Sequence, residues 1–522
     1  MVFRYSSRCR KVRWAAILVA GVAGLAFFRG LPAPFVAEDF EWLFSSSLDL
    51  GVLLASSLGL RRFDQLILLS ARFKPFTLLV NWLAFRLWGA WPIGYHGMSL
   101  IAHIVCSVAV LFLGKSLSKS PAVGMIAGLV FAVYPRHHET VLFMAASQTI
   151  YCTAFVLLAL LSFVVYLLSS KFKYYLTAWI CAVGALTSYE VGVFLFPLMF
   201  LSELVLDRGS WRTTLKSLYC LRMYVKYIPY LLLLILFVGL SFGGQRAFKL
   251  ESTELDPRMG YETYHFMGVG LDAIKSFVSY WVYLVLPQVP LRSLDVGIGS
   301  VVLSLVVVGG SLLLFAFGGA VERFCLFWMG GVLLLFVFFV PFGNADRYFY
   351  LPAAGFSLLI GQLAVRLYEW IRKRWKEVAR VGGIVIMTLY LVSSLVLAQM
   401  RIQEWQQAGE VAQDIIEQVV GMHPEVPHCS QMFFVGLPGR SGQAYVFLGG
   451  GIGGVMRLAY QDPCLDVYRS VDPKLVQWLA SREKTESTPG QYVLLYEEGQ
   501  VHDVSAGVRD FEDFYESWLW YR

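Results

Sequence analysis

Residues 31–41 read LPAPFVAEDFE and follow the first long apolar segment of the chain, residues 14–30. Two adjacent carboxylates, Glu38 and Asp39, are therefore expected where the chain leaves the membrane. Ionisable groups at a membrane are costly and commonly functional, so the pair indicates a chemical role. The alternative is that Glu38, Asp39 and Glu41 form an ordinary solvated loop face. This loop alone does not decide between the two interpretations.

The composition places most of the chain in lipid. Its 522 residues are 57% hydrophobic and 15% charged, whereas soluble domains contain about 25% charged residues. The basic residues lie in short loops between apolar segments, which indicates topology signals and not a nucleic-acid partner. The basic N-terminus followed by residues 14–30 also fits a signal peptide. Because many apolar segments follow, we expect a first helix that is retained.

Eleven apolar segments are close to the length of about 20 residues that crosses a bilayer. Two more, residues 73–91 and 268–286, mix aromatic with charged residues and are typical of helices at the membrane interface. With those two at the interface, five basic loops share one side with the N-terminus, which the positive-inside rule makes cytoplasmic. The C-terminus is then extracytoplasmic, as in a bacterial inner membrane or its equivalent. The predicted spans are 14–30, 95–113, 121–135, 140–168, 174–188, 191–206, 226–242, 301–318, 324–342, 348–366 and 381–399.

Residues 400–522 differ from the rest because they have ordinary polarity and no spanning segment. Helical spacing over residues 403–419 and strand-like runs at 432–435, 445–448 and 492–496 predict a small α+β domain outside the membrane. We therefore expect a transmembrane domain over 1–399 and a second domain over 400–522. The glycine-rich residues 449–454 lack the Lys-Ser/Thr of a phosphate loop and are interpreted as a flexible turn.

The cysteines divide in the same way. Cys106, Cys152, Cys181 and Cys325 lie in apolar segments and are expected to be small packing residues. Cys429 and Cys464 lie in the C-terminal domain, in a compartment where a disulfide could form. We predict that they are bonded.

The predicted topology collects a set of polar residues on the exterior face. Cations on this face could hold a lipid phosphate while an acid deprotonates an acceptor, which is the chemistry that a phosphate-linked lipid substrate requires. Adjacent His137 and His138 point about 100° apart on a helix, so their spacing does not by itself make a metal site; a divalent metal is left open. His103, deep in its span, is expected to pack. The predicted site residues are Glu38, Asp39, Lys74, His96, Arg136, His137, His138, Glu139, Glu190, Asp346 and Arg347.

Several motifs occur in a familiar order: FKPFTLLVNWLAFRLWG, AGLVFAVYPRHHETVLFMAASQ, ALTSYEVGVFLFPL and NADRYFYLPAAGF. Over about residues 10–405 they resemble the GT-C superfamily of polyprenyl-phosphate-sugar glycosyltransferases. The resemblance is greatest to the tetratricopeptide-containing transmembrane O-mannosyltransferases and their bacterial relatives. That branch has the motif His-Pro-x-His-x-Glu at the position of residues 134–139, so Tyr134 replaces its first His. It has Ser-Lys-Glu at the position of residues 188–190, so Tyr189 replaces the Lys. The tetratricopeptide repeats are absent.

The resemblance implies a GT-C-like, all-α polytopic membrane fold in which the acidic pair of the first exterior loop supplies the catalytic base. We assign that base to Asp39, with Glu38 beside it. The implied function is inverting transfer of a mannose-like sugar from a polyprenyl-phosphate carrier to a protein or glycan acceptor. Lys74, Arg136 and Arg347 would stabilise the leaving phosphate.

Two other function classes are compatible with the sequence. The first is a non-catalytic membrane subunit that keeps the fold and docks partners through residues 400–522, and the departures at Tyr134 and Tyr189 leave this alternative open. The second is a transporter or lipid flippase; the lack of matching Gly/Pro-broken helices disfavours the transporter. A transferase needs its base and cations around one cavity. The enzyme interpretation therefore predicts one exterior pocket with an aromatic floor of Tyr348 and Tyr350. Its predicted lining is Asp39, Lys74, His137 or His138, Glu139, Glu190 and Arg347.

Overall fold

The computed structural model describes residues 2–57, 73–207, 225–249, 271–289, 298–339, 345–447, 450–470 and 490–505. Within these ranges the protein is mostly helical, with one small sheet near the C-terminus. The α-helices before the sheet are α1 Val2–Phe27, α2 Asp39–Ser47, α3 Leu50–Ser57, α4 Pro75–Trp88, α5 Pro92–Ser118, α6 Pro121–Ala132, α7 His138–Leu142, α8 Ser147–Ser169, α9 Phe172–Ser188, α10 Leu195–Leu206, α11 Ile228–Lys249, α12 Leu271–Val285, α13 Ile298–Phe317, α14 Ala320–Phe339, α15 Tyr350–Arg372 and α16 Lys376–Met422.

The protein is a multi-pass integral membrane protein. Seven helical segments of the described chain are long and apolar enough to cross a bilayer, and three shorter apolar helices accompany them. The predicted count of eleven spans and the interfacial positions of α4 and α12 stay predictions. The seven long segments are Val12–Gly30, Pro92–Ser118, Met144–Ser169, Gly299–Phe317, Ala320–Val337, Asp346–Arg372 and Lys376–Met422.

Close approach of helix backbones builds the membrane core. A Cβ atom added at Gly124 would lie 2.4 Å from the carbonyl oxygen of Leu111, and one added at Gly361 would lie 2.7 Å from that of Val123. Small residues allow such contacts between helices in lipid, where burial of apolar surface supplies little driving force. Buried aromatic side chains, including Phe131, Phe163, Trp328 and Tyr350, fill the space that remains.

The predicted span 140–168 is wrong at its start. Helix α7 ends at Leu142, a short 3-10 turn covers Met144–Ala146, and α8 begins at Ser147. Apolar composition continues through the break, so hydropathy does not reveal it. The break frees the backbone N–H of Ala145 from a helix, and a carboxylate accepts it instead.

Helix α16 continues from Lys376 to Met422 without interruption. It confirms the predicted helix 403–419 and passes through the predicted domain boundary at residue 399. The division into domains stays a prediction. Buried side chains on the C-terminal half of α16, such as Trp405 and Ile415, share a core with residues of the acidic loop, residues 31–41, and with residues of the sheet.

The C-terminal sheet has the strand order β4-β1-β5-β6. Strand β1 pairs in parallel with β4 and β5, and β5 pairs antiparallel with β6. The predicted strands 432–435 and 492–496 are confirmed, whereas of 445–448 only Tyr445 is in a strand among the residues described. The strands are β1 Gln431–Val435, β2 Arg440–Ser441, β3 Ala444–Tyr445, β4 Asp466–Ser470, β5 Gln491–Glu497 and β6 Gln500–Asp503.

Two predictions about this region have opposite outcomes. The disulfide between Cys429 and Cys464 is confirmed, with Cα atoms 4.7 Å apart. The interpretation of residues 449–454 as a flexible turn is wrong, because a helix, α17 Gly451–Ala459, begins within them. The glycines serve close packing: a Cβ atom added at Gly451 would lie 2.2 Å from the carbonyl oxygen of Ala37.

Candidate functional site

Asp39 is the first residue of α2 and is completely buried. Its Oδ1 accepts the N–H of Ala145 at 2.9 Å, and its Oδ2 accepts the N–H of Val36 at 3.3 Å. The chain reverses just before it, at Ala37, where φ is +47°. The half-buried Glu38 lies directly beside it. The acidic pair therefore lies in a loop that hydrogen bonds hold in place, and Asp39 does not face bulk water.

Burial raises the pKa of Asp39 well above its usual value, and the negative charge of Glu38 raises it further. The N–H groups of Ala145 and Val36 oppose this rise because they stabilise the carboxylate. A raised pKa makes the Asp39 carboxylate a stronger proton acceptor than that of an exposed aspartate.

Lys74 lies in a buried position between two aromatic rings. Its Nζ is 5.7 Å from the ring centroid of Trp42 and 5.7 Å from that of Tyr189. Trp42 follows Asp39 by three residues on α2, and Tyr189 directly precedes Glu190. The Thr77 hydroxyl donates to the carbonyl oxygen of Ser188 at 3.0 Å, which fixes α4 against this turn. Lys74 thus connects the acidic loop with the segment that carries Glu190.

Glu139 and Arg347 form an ion pair on the same face. Arg347 Nη1 donates to Glu139 Oε1 at 2.7 Å, and the Arg347 backbone N–H donates to Oε2 at 3.2 Å. The guanidinium also lies over the rings of Phe143 and Tyr348, at 5.6 and 5.4 Å. Burial raises the pKa of Glu139, and the charge of Arg347 counteracts the rise.

Asp346 is the centre of a second, buried charge network. Its Oδ1 accepts from Arg136 at 2.6 Å, its Oδ2 accepts from Arg401 at 2.6 Å, and His138 Nε2 lies 3.4 Å away. Arg136 is completely buried and also donates to the carbonyl oxygens of Tyr283 and Val289. Burial lowers the pKa of His138 to about 4, although the charge of Asp346 raises it. This network joins the turn before α7 to α12, α15 and α16.

The two other predicted histidines contact a backbone carbonyl and aromatic rings. His96 Nδ1 is 3.0 Å from the carbonyl oxygen of Leu31. His137 packs among aromatic rings, with centroids 4.5 Å from Phe131 and 4.4 Å from Tyr350. His103 packs as expected, with Nδ1 2.8 Å from the Tyr350 hydroxyl.

The described residues bring part of the predicted set together. A small cavity of about 10 Å³ is lined by Tyr189, Arg347, Tyr348 and other residues, so Arg347 and the Lys74 segment meet there. Shared neighbours connect Asp39, Lys74, Glu139 and Arg347. Arg136, His138 and Asp346 form the buried network. One pocket lined by all the predicted residues stays a prediction.

Sequence reasoning missed two contributors to this region, Trp42 and Tyr445, and one to the buried network, Arg401. Trp42 and Tyr445 carry no charge, and only their aromatic character near a turn could have signalled them. The Tyr445 ring lies 5.8 Å from that of Phe143, beneath Arg347, which brings the C-terminal segment to the Glu139–Arg347 pair. Arg401 could have been found from its position, one basic residue just after an apolar segment.

The described residues offer little support for a divalent metal on this face. In the described ranges, the group of three His, Cys, Asp or Glu side chains that comes close enough to hold an ion is His428, Cys429 and Cys464. Its cysteines are bonded to each other. Asp39 does not belong to such a group, and both of its oxygens already accept backbone N–H groups.

Comparison with known proteins gives a consistent result. No family model matches the chain. Human protein O-mannosyl-transferase TMTC4 is 27% identical over 169 residues, which are 29% of this chain and only 23% of the relative. The chain is similar to GT-C glycosyltransferases. The resemblance seen in the motifs is thereby confirmed as a similarity.

Two solved structures of GT-C glycosyltransferases are among those with similar architecture. ArnT from Cupriavidus metallidurans, bound to undecaprenyl phosphate, has a TM-score of 0.49 at 10% identity, with 92% of each chain covered. The archaeal oligosaccharyltransferase AglB from Archaeoglobus fulgidus, in complex with an inhibitory peptide and a dolichol-phosphate, has a TM-score of 0.43 at 10% identity. That comparison covers 78% of this chain and 58% of AglB.

Proposed function

We propose that this chain is a membrane glycosyltransferase that moves a mannose-like sugar from a polyprenyl-phosphate carrier to an acceptor hydroxyl. One observation carries the proposal. Asp39, Lys74 and Arg347, which belong to separate segments of the chain, are linked by contacts through Trp42, Tyr189 and the Phe143–Ala145 break. The partial similarity to an O-mannosyl-transferase supports the same class.

The reaction is a single displacement with inversion. The acceptor oxygen forms a bond to the anomeric carbon while the bond from that carbon to the carrier phosphate oxygen breaks. The acceptor proton passes to the Asp39 carboxylate, and the electron pair of the broken bond leaves with the polyprenyl phosphate. Lys74 and Arg347 stabilise the negative charge that develops on the phosphate. A general base of this kind contributes about 10²–10⁴-fold to the rate.

This mechanism uses fewer residues than the sequence suggested. Arg136 has its guanidinium donors engaged by Asp346, Tyr283 and Val289, so we assign it to support of the fold. His138 and Asp346 belong to the same support. We assign the site face to the extracytoplasmic side and the N-terminus to the cytoplasm, because the basic loops favour that orientation.

A non-catalytic subunit is the second candidate, and two observations favour it. Asp39 is completely buried, and Arg347 is already paired with Glu139. In such a subunit the acidic loop would be structural, and the C-terminal segment would dock a partner. The two candidates differ in the role of Asp39: sugar transfer depends on its carboxylate in the enzyme and does not in the subunit.

The experiment compares purified full-length protein in lipid nanodiscs with its Asp39→Asn variant. The donors are radiolabelled mannosyl-phosphoryl undecaprenol and dolichol, and transfer to a mixture of peptide and glycan acceptors is counted. We expect transfer by the wild type and about a 100-fold or greater loss in Asp39→Asn. Asp414→Asn, a variant at an exposed acid on α16, is the matched control and should retain full transfer. Equal transfer by Asp39→Asn, or none by the wild type, would favour the subunit.

A further inference from the structure

The C-terminal segment contacts the acidic loop itself. The Ala37 backbone N–H donates to the carbonyl oxygen of Val446 at 2.8 Å. This bond forms at the residue whose φ is +47°, immediately before Glu38 and Asp39. A positive φ costs a non-glycine residue about 1 kcal/mol or more and persists only where the surroundings enforce it. The bond from Val446 is one such restraint.

Helix α17 provides the second restraint because its glycines lie directly on the loop backbone. A Cβ atom added at Gly454 would lie 2.6 Å from the Glu41 backbone nitrogen, and one added at Gly451 would lie 2.2 Å from the Ala37 carbonyl oxygen. Both distances are too short for a real side-chain carbon. The loop and α17 therefore fit each other only while these two positions are glycine.

Side chains of α2 that follow Asp39 extend the contact. The Phe40 ring lies 6.2 Å from that of Phe447. The Arg457 guanidinium lies 5.9 Å from the Phe44 ring while its Nε donates to the carbonyl oxygen of Leu465. The loop is thus held by the Ala145 N–H from the membrane helices and by α17 from the C-terminal segment.

We propose that α17 and the Val446 carbonyl are a positioning device for the acidic loop, with Gly451 and Gly454 as the residues that permit it. The C-terminal segment is then part of the transfer site and not a separate docking module. This inference rests on the proposed function only where it concerns catalysis. The positioning itself is a property of the resting protein and can be measured without a substrate.

The first experiment is hydrogen exchange by mass spectrometry on the full chain in nanodiscs, without donor. We expect Gly451→Ala and Gly454→Ala to accelerate exchange in residues 33–47 by about tenfold, because overpacking must separate the loop from α17. Exchange in β1 and β5 should not change. Gly453→Ala is the matched control in the same helix, since an added Cβ there meets the flexible end of Arg457 at 3.3 Å and the Val467 Cβ at 3.6 Å, an ordinary contact, and no backbone atom among the three nearest.

Phe40→Ala is a second variant that leaves the C-terminal sequence intact. It removes the ring contact with Phe447 from the loop side, so the sheet cannot unfold through a change of its own sequence. We expect faster exchange in residues 33–47 with β1 and β5 unchanged. Exchange in the loop that stays at the wild-type rate in Gly451→Ala, Gly454→Ala and Phe40→Ala would overturn the proposal.

Transfer kinetics separate this inference from the proposed function. A displaced base lowers kcat and leaves the KM for the donor nearly unchanged. Gly454→Ala should therefore lose about tenfold or more in kcat, and Gly453→Ala should lose none. If the wild type transfers no sugar but the variants still show faster exchange in residues 33–47, the transferase is refuted and the positioning device is retained. Normal kcat in Gly454→Ala, together with normal loop exchange, would refute the positioning device alone.

Discussion

Replacing Glu41 with glutamine should change how the stability of the protein depends on pH. Glu41 lies two residues after Asp39 and is buried against α17. Burial raises its pKa from 4.5 to about 8; the charge of Glu38 raises it as well, and that of Arg457 lowers it. The folded protein therefore holds a proton on this side chain at pH values where the unfolded chain has lost it.

The sign and size follow from linkage. Below pH 4.5 the side chain is protonated in both states, and stability is fully present. Between pH 4.5 and about pH 8 only the unfolded chain loses the proton, so stability falls as pH rises. Each pH unit is worth about 1.36 kcal/mol, so the fall over about 3.5 units is at most about 5 kcal/mol. Relaxation and water entry reduce such values, and we expect a measured fall of about 2 kcal/mol or more.

The assay is denaturant unfolding of wild type and Glu41→Gln in one detergent, at intervals from pH 4.5 to pH 9. Glutamine cannot titrate, so any cost of its buried amide is the same at every pH. The stability of the variant relative to wild type should therefore grow with pH up to about pH 8 and then level off. For Glu410→Gln, at an exposed position of α16, the curve of unfolding free energy against pH should run parallel to that of the wild type. Parallel curves for Glu41→Gln would refute the reasoning.

Two further predictions concern stability. Asp346→Asn leaves Arg136 and Arg401 without their shared carboxylate, and breaking such a buried pair should lower the free energy of unfolding by about 3–5 kcal/mol; a loss below about 1 kcal/mol would contradict a central role for this network. Replacing Cys429 and Cys464 together with serine should cost about 3–4 kcal/mol, because the bond closes a separation of 35 residues. Reducing agent should then lower the unfolding midpoint of wild type and leave that of the double variant unchanged.

The features that could be predicted from sequence are those with a local signal. A mostly helical membrane protein with a small C-terminal α+β region follows from hydropathy and from residues 400–522, and it is confirmed. The disulfide follows from two cysteines in the polar region, Cys429 and Cys464. The contact between Glu139 and Arg347 also has a local signal, because both charges lie at the ends of apolar segments.

Other features depend on tertiary contacts that local sequence does not encode. Arg136, His137 and His138 are adjacent in sequence, but the tight turn sends Arg136 and His138 to the network around Asp346 and His137 to an aromatic cluster. The predicted topology grouped them on one face because apolar segments do not report side-chain directions. The glycines of α17 read as a flexible turn because their partner, the Ala37–Glu41 backbone, lies more than 400 positions away in the sequence.

The resting ion pair of Arg347 sets a condition on how a lipid phosphate could bind. Its guanidinium already donates to Glu139, and the rings of Phe143 and Tyr348 confine it. A phosphate that reaches Arg347 must share it with Glu139 or displace that carboxylate, and a buried carboxylate without its partner is costly unless it takes up a proton. Burial already raises the pKa of Glu139, so protonation on displacement is the favourable route. In the proposed transferase, donor binding would then be an exchange of anions at Arg347, coupled to uptake of a proton by Glu139.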